Sequence, residues 1–384
     1  DKAESRGLGD VYKRQHGSYG GIAVGADAEA NGNYSRAAGY NATAKGENSS
    51  AVGTNALANG SNAYAYGSNS QASGTNAYAS GIDSSVSGRN VQAFGTDADA
   101  FGTNATTMGV FANSVGTNVT AIGVNTVSNG VNALTFGVAT AASGNNAIAS
   151  GWNAKAFGTN ASAHGSDSLV SGSNVFASGA NSRAIGANAS ADGSNAFANG
   201  NNVSAVGANA QAIGFNAVAQ GSDAYAEGRN VIAIGTGARA LGYNTNVVAV
   251  GTNGTAEGTN AMALGSNSLA RGVNVTAIGP SARACGVDST AFGTQAIAFG
   301  GQAMAVGAFS SAYGNFASAF GPSATARAFG STAIGMQAVT TRPFEVALGS
   351  AASPYSLPGL HPGGFVGTRL SLIHISEPTR LSLI

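Results

Sequence analysis

The chain has 384 residues, 17 of them basic and 17 acidic, and no run of like charge marks a nucleic-acid face or an anionic membrane surface. Its single cysteine excludes an intrachain disulfide. Its 58 glycines exclude far more, because 43 of them fall on one seven-residue grid. Stepping by seven from Gly25 to Gly242 meets glycine at all 32 positions, and stepping from Gly251 to Gly321 meets it at 11 more. Of these 43, 33 are followed two residues later by Asn or Asp. A period of seven raises the question of a coiled coil. Each Gly costs a helix roughly 1 kcal/mol relative to Ala, and no apolar a/d seam is present to offset that. Collagen needs Gly at every third residue, which is absent.

The first 15 residues stand outside the repeat. Ser5-Arg-Gly-Leu-Gly-Asp-Val-Tyr-Lys-Arg-Gln15 resembles a translated sequencing-library adapter, and residues 370–384 resemble the same adapter read from its other strand. Both ends are expected to be non-native and disordered. Without them the chain has 12 basic and 13 acidic residues, about −1 in net charge.

From residue 16 to Gly349 the unit Gly-x-Asn-Ala-x-Ala-x predicts strand. It is seen cleanly in Gly53-Thr-Asn-Ala-Leu-Ala-Asn-Gly60-Ser-Asn-Ala-Tyr-Ala-Tyr-Gly67. Residues three and five after each Gly are small, as in Ala42/Ala44, Ala56/Ala58 and Ala154/Ala156, whereas residues four and six vary freely. That period of two gives one narrow, constant strand face and one variable face. Gly-x-Asn supplies the corner, since Gly and Asn tolerate a positive φ. The prediction is an all-β solenoid with alanines inward and 14 residues per turn from two seven-residue strand units. A three-sided coil of 21 per turn is the alternative. About 23 turns at about 4.8 Å would make a rod of about 110 Å. Length alone would allow two domains, but an unbroken repeat predicts one quasi-linear domain.

A thin alanine core stabilises weakly, because burial contributes roughly 25 cal/mol per Å² and a methyl offers little area. The residue before each glycine shows where help comes from. Near the start it alternates apolar and polar by turn: Val24 then Asn31, Ala38 then Lys45, Val52 then Asn59, Tyr66 then Ser73. It alternates again late, with Val250 then Glu257 and Leu264 then Arg271. Stacked, the apolar members form an exposed stripe that includes Val24, Val52, Val250, Leu264 and Ile278, and lateral self-association would cover it. Between about Gly81 and Gly242 the alternation fails, as in Ser80/Ser87 and Phe94/Phe101.

These repeats resemble the head repeats of trimeric autotransporter adhesins, the YadA-like family. The matching stretches include Ser50-Ala-Val-Gly-Thr-Asn-Ala-Leu-Ala-Asn-Gly60 and Asn230-Val-Ile-Ala-Ile-Gly235. The resemblance implies a left-handed parallel β-roll and a homotrimer. It also implies display outside a Gram-negative cell through a C-terminal membrane anchor, with host or surface ligands. Arg342-Pro-Phe-Glu-Val-Ala-Leu-Gly349 resembles the last head turn of such proteins, so residues 350–369, with Pro354, Pro358 and Pro362, are expected to begin a linker or neck.

In Tyr243-Asn-Thr-Asn-Val-Val-Ala-Val-Gly251 the glycines are nine apart, which predicts a corner loop and, in a sharper reading, a binding loop. Beyond about Gly279 aromatics accumulate (Phe292, Phe299, Phe309, Tyr313, Phe316, Phe320), and Pro280 and Pro322 occupy corners that need donate no ladder bond. This region is expected to cap the roll and tighten the trimer.

No enzyme is expected. His164, Ser166 and Asp167 fall around a repeat corner, where Ser and Asp are turn formers rather than a triad. His16, His164 and His361 are isolated, and Asp83, Asp97, Asp167 and Asp223 replace Asn singly, so neither metal nor cofactor is expected. Cys285 lies in the pre-glycine row as a small filler. Exposed aromatics just after repeat glycines, Tyr40, Trp152, Phe215 and Tyr243, are the candidate ligand contacts, because binding anchors are enriched in Trp and Tyr. The rival function is a structural spacer or fibre segment without a ligand. An ice-binding face would need paired ranks of Thr, but Thr54, Thr75, Thr96 and Thr103 stand at single corners.

Overall fold

The computed structural model describes residues 13–15, 19–242 and 246–350. Every regular element among them is a β-strand. Contacts divide the chain into two units, Asp1–Ala196 and Phe197–Ile384, where the repeat alone predicts one domain. The same unit builds both.

In the first unit each strand pairs in parallel with the strand one turn later. Arg36 pairs with Ser50, which pairs with Tyr64, and Thr43 pairs with Leu57, always fourteen residues on. That register excludes the 21-residue coil. Inside, Ala56, Ala58, Ala63 and Ala65 are fully buried, and the largest buried side chains are Val and Thr. The intervening Leu57 and Tyr64 point outward, half-buried. Small residues are needed because parallel strands on opposite faces of a two-sided roll leave room for little more than a methyl, Val and Thr being the largest admitted.

The corner has two demands, met by two residues. Gly53 has φ +136°, and a Cβ there would lie 2.2 Å from the carbonyl oxygen of Gly67. Asn55 has φ +56°, the left-handed region that Asn enters at least cost. Its N–H donates to the Tyr40 carbonyl at 2.9 Å, continuing the ladder through the bend. The same φ of 55° recurs at Phe111, Ala139 and Gln302, so the coil imposes the corner whatever the side chain. Where Ser replaces the first inward Ala, its hydroxyl donates to the corner glycine's carbonyl, as from Ser49 Oγ to Gly46 at 2.7 Å. The lost alternation after Gly81 leaves no mark on the register: Ser80 pairs with Phe94 and Phe94 with Met108. It is confined to outward side chains.

In the second unit Tyr225 pairs with Arg239, but Val231 pairs with Val247. The register thereby gains two residues between Gly242 and Val247; Tyr243 itself lies outside the described residues. Pro280 and Pro322 accept at their carbonyls from the N–H groups of Gln295 and Gln337, at 2.8 and 2.9 Å. Val346–Leu348 pairs with Thr332–Ile334, so the Arg342–Gly349 stretch is a turn of the roll. The Glu345 carboxylate accepts from the N–H groups of Thr341 and Arg342.

Two expectations are corrected. The late aromatics do not close the roll. Phe292, Phe299, Phe309, Tyr313 and Phe316 stand exposed on the outside, with alanines such as Ala291, Ala298, Ala305 and Ala312 buried beneath them. An interior sized for methyl groups cannot admit rings. At the other end, Lys13–Gln15 pairs in parallel with Ala28–Ala30, so the ladder reaches into the segment expected to be disordered. The expected linker and C-terminal adapter-like segment, 351–384, lie outside the described residues.

Candidate functional site

The residues that superficially offer a triad are each otherwise engaged. His164 Nε2 and Ser162 Oγ form a hydrogen bond of 2.7 Å, and the ring lies 6.0 Å from that of Phe176. The Asp167 carboxylate accepts from Asn153 Nδ2 at 2.8 Å and from Ser166 Oγ at 3.1 Å. Cys285 is half-buried, and burial pushes its thiol up against the opposing pull of Arg283 and Arg271, so thiolate is scarce at neutral pH. Among the described residues no group of three or more His, Cys, Asp or Glu is placed to hold a metal ion.

What the coil does create is columns, because every outward position repeats after one turn. The corner asparagines form amide ladders. From Asn62 to Asn160 on one corner, each Nδ2 donates to the Oδ1 one turn later at 2.9–3.1 Å. Stacked amides of this kind stabilise cross-β assemblies. Replacing Asn118 with Ala removes a rung and places Ala in a left-handed corner, an expected loss of about 1–2 kcal/mol measured by equilibrium unfolding.

Of the four sequence-chosen aromatics, Tyr40, Trp152 and Phe215 lie among the described residues. Tyr40 and Trp152 share a corner of the first unit but are far apart along it, and Phe215 lies on the opposite kind of corner in the second. Trp152 is not solitary. It pairs with Val138, which pairs with Val124, and all three are exposed. Beneath this column the interior departs from alanine. Thr126, Thr135 and Thr140 are buried, and their hydroxyls have no partner among the described residues. Replacing Thr126 with Ala, the residue of the preceding turn, is expected to stabilise the fold by about 1 kcal/mol, read as a raised melting temperature.

Phe215 has the richest surroundings. Pairing places Arg229 one turn beyond it, and the Arg229 guanidinium sits 5.5 Å from its ring centroid. Across the glycine column stand Ile213, Glu227 and Leu241. Long side chains on both sides of Gly214, Gly228 and Gly242 deepen a shallow crease into a groove of about 410 Å³. Residue type alone missed Arg229 and Glu227, although Arg229 follows Phe215 by fourteen residues.

The outward residues before the first glycine of each turn make the apolar stripe. In the first unit Val24 pairs with Ala38, Ala38 with Val52 and Val52 with Tyr66, before Ser80 interrupts. In the second it runs without a polar break from Ile234 through Val250, Leu264 and Ile278 to Phe292, then on to Leu348.

Parallel strands stacked every fourteen residues over an alanine interior, with outward columns for contact, define a β-solenoid of the kind found in surface-adhesin heads. The model of the YadA head domain repeat matches the chain in nine segments: residues 18–42, 37–56, 128–154, 142–168, 177–202, 212–238, 256–282, 284–310 and 312–338. These cover more than half of the chain, which belongs to that family, a non-enzymatic adhesin fold. A comparison with curated proteins finds no match.

Proposed function

We propose that this chain is part of the head of a trimeric autotransporter adhesin, attaching bacterial cells to host or abiotic surfaces. Three copies associate through the apolar stripe, are held at the outer membrane by an anchor elsewhere in the protein, and present each outward column three times. Avidity then multiplies weak single contacts by a factor on the order of 10²–10⁴. The observation that carries this reading is the second unit's stripe, which continues turn after turn from Ile234 to Leu348 although nothing inside the roll requires apolar residues there. Isolated exposed apolar residues are ordinary, but a continuous band marks a contact surface. Beads coated with the purified chain, passed over matrix-protein, glycan and plastic surfaces, are expected to be retained on at least one. Retention on none would favour a spacer that only extends other binding regions.

A further inference from the structure

Resting on the surface-attachment reading, we infer that the groove beside Phe215 binds an anionic saccharide. Its floor is glycine backbone already committed to the ladder, Gly214 with Gly228 and Gly228 with Gly242. A bound peptide therefore finds no free strand edge to extend, and recognition falls to the walls. Those walls carry three distinct chemistries. Phe215 is 40% exposed and offers a flat apolar face of the kind on which sugar C–H faces pack. Glu227 Oε2 is fixed by the Tyr225 hydroxyl at 2.5 Å, which leaves Oε1 open to accept from sugar hydroxyls. Arg229 is held over Phe215 by its cation–π contact. Among the described residues the ion pair is Arg271–Glu257, elsewhere, so there the forked donors of Arg229 face the groove without a carboxylate partner. A planar guanidinium in that state matches a carboxylate or sulfate bidentately. The volume, about 410 Å³, is in the range of small-ligand sites.

The test is calorimetric titration of the whole chain with a glucuronate-containing tetrasaccharide from hyaluronan, its carboxyl-reduced neutral counterpart, and a tetraglutamate peptide. The acidic saccharide is expected to bind most tightly. Arg229→Gln is expected to weaken it about tenfold while leaving the neutral saccharide unchanged, because only the anionic group meets the guanidinium. Phe215→Ala is expected to weaken both saccharides. Both side chains are exposed, so melting temperatures should match the parent. The inference is overturned if neither saccharide binds, if acidic and neutral forms bind equally, if Arg229→Gln changes nothing, or if the peptide binds as well as the acidic saccharide. Beads still retained on a surface when these titrations fail would remove the groove and leave the attachment reading standing.

Discussion

Replacing Gly53 with Ala is expected to cost about 4 kcal/mol or more and to open the turns around it. The new methyl would lie 2.2 Å from the Gly67 carbonyl oxygen, on a backbone with φ +136° that an L-residue rarely adopts. A strained conformation alone costs about 1–3 kcal/mol, and displacing the stacked carbonyl breaks ladder bonds as well. Neighbouring turns contact only one another, so the damage is local. Amide exchange is expected to accelerate in residues 39–67 and to remain slow in distant turns. Gly254 is the control. It occupies an inward site that is Ala in most turns, and its nearest atoms to an added Cβ are at 3.3 Å. Gly254→Ala is expected to be neutral or to stabilise by up to about 1 kcal/mol. Equal damage at both sites would contradict the account of the corner.

The second large effect is on association. Leu264 and Ile278 are adjacent rungs of the stripe, and both are half-buried within one chain. Changing both to Asp leaves the interior alanines untouched, so the isolated chain should keep its circular-dichroism spectrum. In an assembly closed over the stripe, however, the two carboxylates would lie in an apolar contact without partners. A loss of at least about 100-fold in the association constant is expected, measured by light scattering across a concentration series. The same pair of changes on the opposite face, at Glu257 and Arg271, should leave association unaltered.

The fold was legible because a single steric rule repeats. Inward positions accept only a methyl or slightly more, and corners accept only Gly and then a residue that tolerates a left-handed φ. Ala58, Gly53 and Asn55 could therefore be assigned from spacing alone. The expected cap near the C-terminus rested on aromatic abundance alone; the same steric rule, applied to Phe292 or Phe309, sends them outside. The functional columns were only half legible. Residue type singled out Trp152 and Phe215, but their surroundings follow from the fourteen-residue turn, which sets Val138 against Trp152 and Arg229 against Phe215. The orphaned hydroxyls of Thr126 and Thr140 have no sequence signature beyond Thr standing where Ala is usual. At Ser84 and Ser168, the same position in other turns, the hydroxyl finds the corner carbonyl, and only the fold reveals that these do not.

Sedimentation equilibrium of the purified chain at micromolar concentration tests the central claim most directly. The proposed trimeric head predicts a single species of three times the chain mass, reverting to one chain when Leu264 and Ile278 become Asp. A single-chain mass for the parent protein at every concentration would contradict it.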